Sequence, residues 1–247
     1  MRSRAGNLVL VALLVLMLAG VAVAAVIALQ APAVDPETGC LEEGVVAETV
    51  ALVDASDPIP DALLKTVLEL LMGAALQGGP ETRVRLFLLG GGQAVDLIEL
   101  DAFCNRLSPG AGGPAYRTRI RRDFEARLQA GLAKAAAGQR DASPILEATE
   151  RLLSRPGLTE VQDRDLIVIS DLLQNTERFS FYPGKPGYVR PSALGSRLTT
   201  SRAAFWRTVS IVELQRPGLR HLQTASVRRF WISCFKRMSA EVDLRRL

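Results

Sequence analysis

Leu8 to Leu29 is an unbroken run of Leu, Val, Ala, Ile and Met with one Gly. As a helix rising roughly 1.5 Å per residue it spans about 33 Å, enough to cross a hydrocarbon core. Arg2 and Arg4 precede it, and Asp35, Glu37, Glu42 and Glu43 follow it. Positive charge on the short leading side places residues 1–7 in the cytoplasm and the rest of the chain beyond the plasma (inner) membrane, periplasmic or extracellular. The expected organisation is a cytoplasmic N-terminus at 1–7, a single transmembrane helix at 8–29, a linker at 30–44 and one domain at 45–247. A cleaved signal peptide is the rival reading, with Ala31-Pro32-Ala33 as an A-x-A-like site.

The remaining 210 or so residues suffice for one sizeable core. The net charge of +4 is mild and gathers near the C-terminus, at Arg228, Arg229, Lys236, Arg237, Arg245 and Arg246. Those charges have the pattern of a solvated helix face, without the interleaved aromatics of a nucleic-acid footprint, so no nucleic-acid partner is expected. Cys40, Cys104 and Cys234 show no C-x-x-C spacing, and His221 is the sole histidine. A Cys/His metal site is thereby excluded, and Ser-His-Asp or Cys-His catalysis lacks a credible partner set.

Short apolar runs alternate with helical spacing along the domain. Glu48–Asp54 reads as a buried strand, Pro60–Leu76 as a helix closed by Gln77-Gly-Gly-Pro80, and Thr82–Leu89 with Ala94–Leu100 as a hairpin about Gly90-Gly-Gly92. That glycine run joins two strands and lacks a following Gly-Lys-Ser/Thr, so it is no phosphate loop. Tyr116–Ala137 has helical spacing. Ser143-Pro-Ile-Leu-Glu147 reads as a helix start, with Ser143 as its cap. Arg164–Ser170 is another buried strand, 174–201 a long polar loop, Arg207–Gln215 a last strand and His221–Val242 a final amphipathic helix with Phe230, Trp231, Cys234, Phe235 and Met238 inward. The fold class expected is α/β, a mostly parallel central sheet with helices on both faces.

In such a sheet, ligands bind outside the carboxyl ends of the central strands. Asp54 ends the first strand with Ser56 two residues on, Ser143 opens a later helix, and Asp171 follows Ile-Val-Ile-Ser170. Two carboxylates and two hydroxyls at one edge suit a hard cation such as Mg2+ (or Mn2+), which prefers oxygen ligands. The plainer alternative is that Asp54, Ser143 and Asp171 are caps and turns.

These motifs resemble the von Willebrand factor type A (vWA) domains. The adhesion site of that family is written D-x-S-x-S, then a Thr opening a helix, then an Asp after the fourth strand. Asp54-Ala-Ser56-Asp-Pro58 falls on the first, Ser143 on the Thr and Asp171 on the last Asp. The match runs over about Glu48 to Val242 and is similar to the membrane-anchored bacterial branch. The resemblance implies a Rossmann-like vWA fold and a metal set of Asp54, Ser56, Ser143 and Asp171. Pro58 stands where a ligand serine is expected, and Asp57 is an auxiliary candidate.

The leading functional expectation is a membrane-tethered module that binds a protein partner, an acidic side chain of the partner completing the metal shell. The alternatives are a Mg-dependent hydrolase and a metal-free scaffold in a membrane assembly. The hydrolase lacks a lysine or histidine acid near the motifs. Tracing the sheet also predicts a disulfide. Cys40 precedes the first strand at the amino edge, the third strand descends to that same edge, and Cys104 follows it, while Cys234 lies on the inward face of the last helix.

Overall fold

The computed structural model describes residues 2–29, 40, 44–77, 82–91, 95–104, 114–136, 142–158, 161–191 and 206–247. Its elements are α1 (Arg2–Leu29), β1 (Ala47–Asp54), α2 (Asp61–Gln77), β2 (Thr82–Gly91), β3 (Val95–Cys104), α3 (Pro114–Ala136), α4 (Ile145–Leu153), β4 (Asp163–Ser170), β5 (Trp206–Glu213), α5 (Ala225–Phe235) and β6 (Ser239–Arg246). The six strands form one sheet in the order β3-β2-β1-β4-β5-β6. Every pairing is parallel except the β2–β3 hairpin. The α/β expectation, a mostly parallel sheet with helices on both faces, holds.

The strands are apolar on both faces because both are covered, as parallel sheets require. On one face Val50, Leu52, Leu166, Val168, Val209 and Ile211 pack with Ile145 and Leu152 of α4 and Val227, Phe230, Trp231 and Phe235 of α5. On the other, Ala51, Val53, Ile167, Ile169 and Val212 pack with Val67, Leu71 and Met72 of α2 and Leu128 of α3. Trp206 and Trp231 are wholly buried, as expected of core aromatics.

Three sequence expectations need correction. The last helix stops at Phe235, and Ser239–Arg246 is a sixth strand paired with β5 from Trp206↔Ser239 to Glu213↔Arg246. Its apolar positions Ala240, Val242 and Leu244 alternate at period two, which a helical reading absorbs because Val242 also fits the helical spacing. The hairpin strand β3 continues four residues past Leu100, so that Cys104 pairs with Arg83 inside the ladder. Ser143 is not a helix cap: Pro144 holds that position without a side-chain bond, and the Ser143 backbone instead bridges to Asn175.

Cys40 and Cys104 are joined by a disulfide, with Cα atoms 4.8 Å apart. Cys234 is a buried free thiol, its pKa pushed up to about 12 chiefly by burial. Among the described residues no helix is long and apolar enough to cross a membrane. Leu13, Leu16, Met17 and Val21 nevertheless stand more than half exposed. Most of the expected 30–44 linker, and 192–201 of the expected long loop, lie outside the described residues.

Candidate functional site

Strand order reverses between β1 and β4, since β2 and β3 lie to one side and β5 and β6 to the other. That is the topological switch point, where the diverging connections leave a crevice at the carboxyl edge. The register pairs Val53 with Ile169, which sets Asp54 beside Ser170 at that edge. Asp54 and Asp171 are both about 3 % exposed, and Ser143 is 6 % exposed.

Asp54 is held from three directions. The backbone N–H of Ser56 donates to its Oδ1 at 3.0 Å, closing the D-x-S turn. Ser143 Oγ donates to Oδ2 at 3.0 Å, and Ser170 Oγ donates to the same oxygen at 2.7 Å. Hydroxyls donating to a carboxylate form charge-assisted bonds, and their oxygens can still accept a further bond. The hydroxyl of Ser143 is therefore committed to Asp54 rather than to the helix behind it. The start of that helix is served by Gln174, whose Oε1 accepts from the Leu146 N–H at 2.9 Å.

Asp171 sits in the next turn. Its Oδ1 accepts from the Leu173 N–H at 2.9 Å. Leu172 between them takes φ 65°, a left-handed conformation that costs a non-glycine residue of order 1 kcal/mol or more. Surrounding contacts hold it there: its N–H donates to Ser170 Oγ at 2.9 Å, and its carbonyl accepts from Trp231 Nε1 at 2.9 Å. Trp231 is fixed in turn by Phe230 and Phe181, with ring centroids 5.2 and 6.5 Å away. Phe179 packs edge-on against Phe181 at 4.8 Å and Phe230 at 5.3 Å. Each such pair contributes about 0.5–1.5 kcal/mol beyond its burial, so the aromatic cluster anchors the segment that presents Asp171.

The carboxyl of Asp171 is raised to about 7, first by burial and next by the negative charge of Asp54, against the lowering effects of the Leu173 N–H and Arg216. The Tyr182 phenol is raised by burial and then by Asp171, Asp57 and Asp54, which places it within the field of the same acids. A carboxyl raised in the folded state holds a proton that the unfolded chain has already released. Stability therefore falls as pH rises from about 4 to about 7, by roughly 1.4 kcal/mol per pH unit at most. Glu48, buried at the opposite edge, is also raised, so the effect of Asp171 is read as a difference: Asp171→Asn should flatten the decline in urea-unfolding stability between pH 5 and 7.5. An unchanged slope contradicts the account.

Residues that motif reasoning missed complete the edge. Arg216, in the loop after β5, donates from Nη1 to the Pro58 carbonyl at 2.5 Å and from Nη2 to the Asp57 carbonyl at 3.3 Å. Its Nε lies 3.6 Å from Asp171 Oδ2. Gln223 accepts from the Arg216 N–H at 2.8 Å and donates to the carbonyls of Asp171 and Leu214 at 3.1 and 2.8 Å. Ser170 is concealed in the sequence by its apolar strand. Arg216 and Gln223 belong to no motif and reach the site only through the fold. Asp57 is half-buried and lies close enough to raise the Asp171 carboxyl.

The donor chemistry fits a hard divalent ion: two buried carboxylates, the Ser143 hydroxyl bonded to one of them, and a carboxyl whose charge is poorly compensated. Among the described residues no group of three or more His, Cys, Asp or Glu side chains is placed to hold a metal, so hydroxyls and waters would supply most of the shell. A cavity of about 300 Å3 adjoins the turn, lined by Asp57, Pro58, Ile59, Asp61 and Leu64 with Gln129 and Ala133 of α3. A larger groove of about 850 Å3 runs along the α2 side of the sheet. Its Arg207 is already paired with Asp163 and Asp165, and it lies away from Asp54 and Asp171. His221 is exposed in the turn before α5 and takes no part in the site.

No family model matches the sequence. No curated protein matches it significantly. Solved structures similar in fold include the SpRpn10 VWA domain (TM-score 0.40, 9 % identity, covering 82 % of this chain and 89 % of that one). The human COPII-coat protein Sec24c is similar at TM-score 0.42 and 11 % identity over 82 % of this chain and 30 % of that one. An aerotolerance-related membrane protein from Bacteroides fragilis is similar at TM-score 0.32 and 14 % identity over 68 % and 67 %. Likenesses at this level say nothing of activity or partner. The mostly parallel sheet and the D-x-S turn closing β1 at the switch point agree with the vWA-like fold that the sequence resemblance implies.

Proposed function

We propose that this vWA-like domain is a protein-binding module that recognises its partner at the carboxyl edge of the sheet through a Mg2+ (or Mn2+) ion. The observation that carries the reading is the pair of buried carboxylates, Asp54 and Asp171, set astride the switch point with hydroxyls aimed at Asp54. Asp54, Ser56, Ser143 and Asp171 are the residues that would hold the ion, with Asp57 as an auxiliary. The ion would supply positive charge for an acidic side chain of the partner. The chain's own residues orient that charge: Ser143 and Ser170 fix the Asp54 carboxylate, and the Leu172 turn fixes Asp171. The cavity beside Ile59 and Leu64 offers apolar contact next to the ion, which suits binding. A Mg-dependent hydrolase acting at the same edge is the second reading.

The exposed apolar face of α1 supports a single-pass anchor at 8–29, with 1–7 cytoplasmic, 30–44 a linker and 45–247 held outside the cytoplasm. A disulfide such as Cys40–Cys104 accords with an oxidising compartment. Sequencing of the mature N-terminus checks the anchor, and a start at Val34 contradicts it.

Binding is tested by capture from membranes with the full-length chain in detergent. Partners recovered in Mg2+ should be lost in chelator and lost with Asp54→Asn. Identical recovery under all three conditions rejects the metal-dependent reading in favour of a metal-free scaffold.

A further inference from the structure

We propose that Arg216 is the built-in counter-cation of the carboxylate site and that it competes with a divalent ion for Asp171. The inference deepens the metal reading above and rests on it for the competition, while the counter-cation role stands independently. Arg216 comes from the loop after β5, yet its guanidinium spans the site from the Asp57-Pro58 turn to Asp171. Nη1 and Nη2 donate to the two turn carbonyls, and Nε faces Asp171 Oδ2 at 3.6 Å.

That Nε is buried and has no hydrogen-bond partner among the described residues. Buried donors are nearly always satisfied, and one left unsatisfied costs about 1–3 kcal/mol. Its burial is explained by charge, because Nε faces the buried Asp171 carboxylate while the other two nitrogens are held by the turn carbonyls. The placement is built in: the Arg216 N–H is held by Gln223, and Gln223 is in turn bonded to the Asp171 carbonyl. The same guanidinium is clamped on the turn whose Pro58 stands where the family pattern has a ligand serine.

A divalent ion bound between Asp54 and Asp171 would share Asp171 with this guanidinium. Like charges repel strongly at such separations in a buried site, so ion binding requires Arg216 to move off Asp171. Arg216 thus sets the affinity of the site and gives it a metal-free state that is already partly neutralised.

Two measurements on the full-length chain in detergent test this. The first is a double-mutant cycle of Arg216→Gln and Asp171→Asn, by urea unfolding in chelator. Losing either partner should destabilise less once the other is gone. Strict additivity overturns the counter-cation role. The second is Mn2+ titration by calorimetry. Arg216→Gln should bind Mn2+ at least about tenfold more tightly than wild type, while Arg216→Lys, which keeps the charge, should stay close to wild type. Equal affinity of Arg216→Gln and wild type overturns the competition. If neither protein binds Mn2+ but the cycle shows coupling, the metal reading falls and Arg216 stands as the permanent cation of the site.

Discussion

Replacing Cys40 and Cys104 by serine should lower the unfolding free energy of the full-length chain by about 4 kcal/mol, the chain-entropy value for a cross-link closing this loop. The bridge spans a sequence separation of 64 residues, from the segment before β1 to the end of β3. It ties down the amino edge, with β2 and its hairpin partner the outermost strands on that side. Cys104 pairs with Arg83 at the end of the β2–β3 ladder, so on that side the bridge is anchored in the sheet. A loss of this size approaches the total stability of many domains. Denaturant melts of the double variant measure it directly. A change below about 1 kcal/mol would show that the loop is constrained by other means. Cys234 supplies an internal control, since its buried, raised thiol should react with thiol reagents only after unfolding.

Asp54→Ala should cost about 3 kcal/mol in the metal-free protein. The substitution leaves the hydroxyls of Ser143 and Ser170 buried without their acceptor, at about 1–3 kcal/mol each. Relief of the repulsion between Asp54 and Asp171 offsets part of that. The same relief gives the variant a second signature. With Asp54 gone, the Asp171 carboxyl loses its second-largest upward influence, so the fall in stability between pH 4 and 7 should become shallower. Mg2+ should raise the melting temperature of wild type by mass action and leave Asp54→Ala unmoved. A variant that melts like wild type in chelator would mean that the hydroxyls find other acceptors and that Asp54 is peripheral to the edge.

The sheet was legible because its strands are short apolar runs closed by turn residues, and because parallel strands covered on both faces leave that signature. The amino-edge position of Cys40 and Cys104 followed from the same trace. Strand β6 was not legible, because one period-two segment of eight residues follows directly on a helix whose apolar spacing it partly continues. At the site, Asp54, Ser56, Ser143 and Asp171 carry local signals of turn and helix start, and the fold does bring Asp54, Ser143 and Asp171 to one edge. What local pattern misreads is use. Ser143 lies one residue before the cap position held by Pro144, and its hydroxyl crosses 89 positions of sequence to Asp54. Ser170 reads as one polar residue in a buried strand and proves to be the shortest contact of Asp54. Arg216 lies in a polar loop with no periodic neighbours, and only the packing of β5 against β4 delivers it to Asp171.

A divalent ion seated between Asp54 and Asp171 at the carboxyl edge is detected by paramagnetic broadening of backbone amide signals with substoichiometric Mn2+, in the isotope-labelled full-length chain in detergent. Signals from 54–57, 142–146 and 170–173 should be lost selectively, recovered in excess Mg2+ and retained in Asp54→Asn. Broadening centred on Asp163, Asp165 and Glu48 at the opposite edge, or none at all, would contradict that placement.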